Sequence, residues 1–142
     1  MTDDEFLREL EACMLSEREF GHHAHVRAAY LYLGQSNFAE ALVRMRRSIC
    51  AYATHLGRPH RYHETITIAH LALIQRCIVE HGDRGGWAMF SRSNPDLLDP
   101  GLLGRIYDRD LLESSLARRV FLFPRANPDR GGSSAGIDLP RP

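Results

Sequence analysis

No window of this chain approaches the roughly 18 consecutive apolar residues that a membrane-crossing helix requires. The opening Met1-Thr2-Asp3-Asp4-Glu5 also lacks the basic and apolar regions of an export signal, so the chain is expected in the cytoplasm. An excess of either charge is missing as well. Eighteen basic residues balance eighteen acidic ones, which argues against nucleic acid or an anionic membrane surface as a partner. Cysteine is scarce: Cys13, Cys50 and Cys77 are far apart, and none has a second cysteine two or three residues away. Disulfide frameworks and zinc knuckles use closely patterned even sets, so these three read as buried free thiols. The chain has no Gly-x-Ser-x-Gly elbow, no phosphate-binding GxxxxGK[ST] and no GxGxxG after a strand pattern, and nucleophilic hydrolysis and nucleotide binding lose their usual signatures. A repeat with a period between 20 and 50 residues is also absent, which argues against a helical solenoid.

What is present is an ordinary globular composition, with 44% apolar and 25% charged residues in a 142-residue chain. That length suits one domain with one core. Helical periodicity dominates. Asp3 or Thr2 can cap a first helix through about Leu15, with Phe6, Leu7, Leu10, Met14 and Leu15 on one stripe. Ser16 and Glu19 have capping-box spacing ahead of a second helix that Gly34 stops. Ser36 offers an N-cap for a third over 38–55, on which Arg44, Arg46 and Arg47 read as a solvated face. The run from Tyr62 to Glu80 is apolar around most of its circumference and therefore reads as the central helix, closed by Gly82. A short helix at Trp87–Phe90 and a turn at Ser93–Asp96 follow. Asp110 and Glu113 then suggest a last helix to Phe121 with Leu112, Leu116, Val120 and Phe121 facing inward. The expected fold class is all-α: a single compact bundle of five to six helices over residues 1–123, with a disordered Pro/Gly/Ser-rich tail over 124–142.

Polar side chains stand out against this apolar pattern at two places. His22 and His25 are three residues apart at the start of the second helix and point within roughly 60° of each other. His63 and Glu64 open the central helix, with Thr67 one turn on. A carboxylate in such a setting must be paired, coordinate a cation or take up a proton, and each outcome is useful to an enzyme. The opposing structural reading has Glu64 merely facing the helix N-terminus and His63 facing solvent. His70, among Ala69, Leu71 and Leu73, reads as a hydrogen-bonded core histidine, while His23, His55, His60 and His81 read as exposed. Arg27 and Arg118 have the chemistry to clamp a substrate carboxylate, and Tyr62 to wall a pocket.

The segments Phe20, His22, His25-Val26-Arg27, Tyr62-His63-Glu64-Thr65-Ile66-Thr67, Asn94-Pro95-Asp96-Leu97-Leu98 and Ser114 with Ala117-Arg118-Arg119-Val120-Phe121 resemble an uncharacterised family of small bacterial helical proteins. The resemblance spans about residues 5 to 124, and its distinctive string is Tyr-His-Glu-Thr-Ile-Thr. By a looser analogy the chain is similar to small enzymes that carry out Pictet–Spengler condensation of an aromatic amine with a carbonyl compound. That reaction needs an acid to expel water and a base to rearomatise the ring.

Three readings of function follow. The leading one is a small biosynthetic enzyme of secondary metabolism acting on an amine- or carbonyl-containing metabolite. In it Glu64 is the proton shuttle, His25 and His63 are its partners, Arg27, Arg118, Tyr62 and Thr67 bind substrate, and no cofactor is needed. The second makes the site a zinc or iron centre with His22, His25 and either His63 or Glu64 as ligands. The third is a non-catalytic ligand-binding module or homodimeric interaction module.

Overall fold

Thr2 begins the fold with a reciprocal cap. Its hydroxyl accepts the Glu5 backbone N–H at 3.2 Å, and the Glu5 carboxylate accepts the Thr2 N–H at 2.7 Å. This opens α1 (Asp3–Glu11) in a computed structural model that describes residues 1–82 and 85–126. The helix ends four residues earlier than its apolar stripe suggests. Cys13 takes a left-handed conformation, φ 56°, and the Cys13 and Met14 N–H groups return to the carbonyls of Leu10 and Glu9. Those two bonds satisfy the last carbonyls in the manner usually reserved for a glycine at this position. Met14 is thereby turned outward, 71% exposed, while Leu15 folds back into the core at 4%.

The capping box at Ser16 and Glu19 forms, yet it closes a single turn, and α2 (His22–Gln35) starts behind Gly21. Gly34 lies inside α2 rather than ending it. Asn37, not Ser36, caps α3 (Phe38–His55), its side-chain oxygen accepting the Glu40 N–H at 2.9 Å. Ser36 instead donates its hydroxyl back to the Tyr32 carbonyl. The central helix is α4 (Glu64–His81), packed against α2 and α3 on one side and the C-terminal helices on another, and Gly82 at φ 77° closes it. Small side chains on α2, among them Ala24, Ala28 and Ala29, are fully buried and let these helices approach closely. The hydroxyls of two buried tyrosines are satisfied across elements: Tyr52 donates to the Leu15 carbonyl, and Tyr32 reaches both Glu11 and Ser48.

After α5 (Gly86–Ser93) and two 3₁₀ turns, the single last helix expected over 110–121 is instead two, α6 (Arg109–Leu112) and α7 (Ser115–Arg119). Ser114 causes the break. Its hydroxyl accepts the Ala117 N–H at 3.1 Å and donates to the Leu111 carbonyl at 2.7 Å, starting a new helix in a new direction. Ala117 is then the inward residue, at 0% exposure, and Leu116 and Val120 lie outside at 58% and 45%. Beyond α7 the chain runs extended across α4, held by Thr65, whose hydroxyl donates to the Val120 carbonyl and accepts the Leu122 N–H. The architecture is an all-α bundle around α4, without strands among the described residues. No helix is long and apolar enough to cross a membrane among those residues. The expected tail lies, from residue 127 on, outside them.

Candidate functional site

Between α2, α3 and α4 lies a cavity of about 210 Å³. Its wall is mostly aliphatic, with Val26 and Ala29 from α2, Met45 and Ile49 from α3, and Ile66, Leu71 and Ile74 from α4. Three histidines break that wall: His22 and His25 from α2 and His70 from α4. The three-residue spacing on α2 places its two rings on the inner face, and packing of α2 on α4 brings His70 to them, with the His22 and His70 ring centres 5.1 Å apart.

The hydrogen bonds assign protons to two of these rings. The Leu97 carbonyl can only accept, so His22 donates to it from Nε2 at 2.9 Å. His70 likewise donates from Nδ1 to the Ile66 carbonyl at 3.1 Å, which leaves a bare lone pair on Nε2. That Nε2 is buried and has no hydrogen-bond partner among the described residues, and the same is true of His25 Nε2. The His25 ring is fixed by an edge-on contact with Phe20, centres 4.4 Å apart. Burial, reinforced by the neighbouring imidazoles, pushes the pKa values of both His25 and His70 down to about 4. Both rings are neutral at physiological pH.

The residues singled out from sequence are divided by the structure. His22, His25, His63 and Thr67 line the cavity. Both ring nitrogens of His63 are occupied, however: Nδ1 accepts the Ile66 N–H at 3.1 Å as the N-cap of α4, so Nε2 carries the proton and donates to the Leu112 carbonyl at 2.7 Å. His63 is only 8% exposed, which corrects its reading as a solvent-facing neighbour. Thr67 turns its hydroxyl back to the His63 carbonyl. Glu64 is outside the cavity. Its carboxylate lies against α3, where Arg46 donates to it from both Nε and Nη2, and Tyr62 donates its hydroxyl at 3.3 Å. Arg46 is therefore a partner in an ion pair rather than part of a solvated face. Burial and the Glu64 charge push the Tyr62 pKa up to about 12. Arg27 points to the N-terminus, bonded to Asp3 and stacked on Phe6, and Arg118 reaches the Arg61 carbonyl on the surface.

Two cavity residues were not singled out. His70 was expected to be a hydrogen-bonded core histidine, which describes only one of its nitrogens. Its position seven residues after His63, two turns along the most apolar helix, was the available signal. Arg61 carried no local signal, because it belongs to a 3₁₀ turn, Pro59–Arg61, that only the packing brings to the cavity wall.

Among the described residues no group of three or more His, Cys, Asp or Glu side chains is arranged to hold a metal ion. No protein-family model, curated protein or solved structure matches the chain. What the arrangement can do is defined by its lone pairs. His70 Nε2 is an acceptor without a partner among the described residues, on a side chain of the largely apolar cavity wall, which suits an N–H or O–H group on a small, largely apolar molecule.

Proposed function

We propose that the chain is a small-molecule enzyme that moves protons with neutral imidazoles in the cavity between α2, α3 and α4. The observation that carries this reading is the pair of buried, unpartnered ring nitrogens on His25 and His70. A protein interior ordinarily satisfies its polar groups, and two exceptions in one cavity are best accounted for by a ligand that completes them. The shuttle is assigned to His25 and His70, and Glu64 is assigned to hold the N-terminus of α4 through Arg46.

The low basicity of these imidazoles narrows the chemistry. A base with a pKa of about 4 stays unprotonated at pH 7, but it is too weak to take a proton from an alcohol or an ordinary amine. It is matched to an acidic proton, such as one on a cationic intermediate. Condensation of an amine with a carbonyl compound produces such a cation when the carbinolamine loses water, and closure onto an aromatic ring produces a second one. The amine enters as its ammonium, so forming the iminium and water needs no outside proton, and the imidazole would then remove the ring proton from the second cation and pass it to solvent. This supports the amine-and-carbonyl class of substrate, in cytoplasmic biosynthesis, over hydrolysis of an unactivated bond.

The test is a mass-spectrometric screen of aromatic amine and aldehyde pairs with the wild-type protein and with His25→Gln and His70→Gln. Product formation that falls at least about a hundredfold in either variant, with the fold intact, supports the reading, since removing a general base typically costs 10²–10⁴-fold. Saturable binding of an amine or aldehyde without turnover would make the cavity a binding module instead.

A further inference from the structure

Arg61 is the exposed residue of the cavity lining, and it shares with Arg118 beside it the lack of a carboxylate partner among the described residues. Arg27, Arg46 and Arg58 are each held by a carboxylate, from Asp3, Glu64 and Glu17 respectively. The Arg61 guanidinium has no ion pair and no hydrogen bond among the described residues, although its backbone is fixed at both ends. Its N–H donates to the Arg58 carbonyl, and its own carbonyl is met by Arg118. Arg61 lines the histidine cavity and also an adjoining groove of about 280 Å³, and the two spaces share His25, Ile49 and Arg61. An exposed cation without a carboxylate partner among the described residues therefore stands in the lining of an apolar, imidazole-bearing space.

Size and polarity then define what fits. An apolar cavity of about 150 Å³ accommodates benzene, so one of about 210 Å³ has room for a ring with a short side chain. The ring would lie against the aliphatic wall, beside the His70 side chain. A chain of a few atoms leading out of the cavity would end beside the Arg61 guanidinium, whose planar fork pairs with a carboxylate. We propose that the ligand of the histidine cavity is an amphiphilic monoanion, with an aromatic body inside and a carboxylate held by Arg61. This rests on the reading of the cavity as a small-molecule site, and it adds the charge and polarity of that molecule.

The experiment is calorimetric titration of the full chain with 3-phenylpropanoate and indole-3-acetate, each compared with the alcohol of the same carbon skeleton, in wild type and Arg61→Gln. The carboxylates are expected to bind about tenfold more tightly than their alcohols, a difference of about 1.4 kcal/mol, and Arg61→Gln is expected to abolish the difference while leaving alcohol binding unchanged. Arg61 is exposed on a surface turn, so the variant is expected to fold, which its thermal transition checks. Equal affinity of acid and alcohol, unchanged carboxylate affinity in Arg61→Gln, or no saturable binding of either carboxylate at millimolar concentration would overturn the proposal. These are binding results. Loss of turnover in the histidine variants bears on the catalytic reading separately, so the two can fail independently.

Discussion

Arg46 grips a single oxygen of Glu64 with two nitrogens, Nε at 2.8 Å and Nη2 at 2.6 Å. The contact ties the middle of α3 to the first residue of α4, next to the His63 cap. A hydrogen bond to a charged group contributes roughly 1.5–3 kcal/mol, and the half-exposed Arg46 side chain places this one at the lower end. Glu64→Gln is therefore expected to lower stability by about 1–2 kcal/mol in urea denaturation, with turnover per folded molecule reduced less than about tenfold. Unchanged stability with abolished turnover would return the proton-shuttle role to Glu64.

The unpartnered nitrogen of His70 is a cost that the fold carries. Replacing a buried, unsatisfied polar group by an apolar one of similar volume removes that cost. The Ile66 carbonyl would still accept the intrahelical N–H of residue 70. His70→Leu is thus expected to raise stability by about 1 kcal/mol and to abolish activity, the usual trade at a functional site. A melting temperature that drops by several degrees would mean that His70 is structural.

The elements that were legible in the sequence are those whose signals are local. The start of the first helix at Thr2 or Asp3, the third helix, the apolar fourth helix and its Gly82 stop follow from spacing and capping chemistry. The end of α1 was not legible, because its left-handed residue is Cys13, where no glycine marks the turn. The break at Ser114 was hidden by a leucine pattern that runs across it, and a cap has to be weighed against periodicity to find it. For the site, His22 and His25 could be paired from their spacing on one helix. The capture of Glu64 by Arg46, the second nitrogen of His70 and the place of Arg61 all depend on packing between elements distant in the chain.

Folding at low pH is set by the same histidines. His25 and His70 are lowered to about 4 from the ordinary value of 6.5 by burial, and His63 is lowered for the same first reason. A group whose folded pKa is depressed contributes stability that is complete above its unfolded value and fades as pH falls through the window between the two. Each of the two strongly shifted rings would remove roughly 3 kcal/mol by the bottom of that window, from 1.36 kcal/mol per pKa unit. Stability is therefore expected to be flat above about pH 7 and to fall steeply between pH 6.5 and about 4. In His25→Gln/His70→Gln the slope is expected to be clearly shallower. A double variant with the wild-type slope would remove these residues as the cause.

Metal content separates the remaining alternative. With both nitrogens of His63 engaged and Glu64 paired to Arg46, the ligand set drawn from His22, His25 and either residue would have to break existing bonds. Elemental analysis of untagged protein is expected to find well under one equivalent of zinc or iron, with no change in melting temperature after chelator. One equivalent, lost on His22→Ala, would move the site to metal chemistry.

Thr65 offers a test of how the C-terminal segment supports the site. Its buried hydroxyl holds the extended stretch after α7 at two points, the Val120 carbonyl at 2.8 Å and the Leu122 N–H at 3.1 Å, and Tyr107 adds a third bond to the Leu122 carbonyl. Thr65→Val keeps the shape of the side chain and leaves two backbone groups without their partner, at a cost of roughly 1–3 kcal/mol. That loss falls locally, because residues 120–126 are otherwise held by an exposed Arg125–Asp110 ion pair and include the exposed Val120 and Phe123. Limited chymotryptic proteolysis is expected to cut the variant after Phe121 or Leu122 much faster than wild type, while the cavity lined by α2, α3 and α4 keeps its ligand affinity within about threefold. Equal cleavage rates would mean that other contacts hold this segment, and a parallel loss of ligand affinity would make the strap part of the site, acting through the first turn of α4.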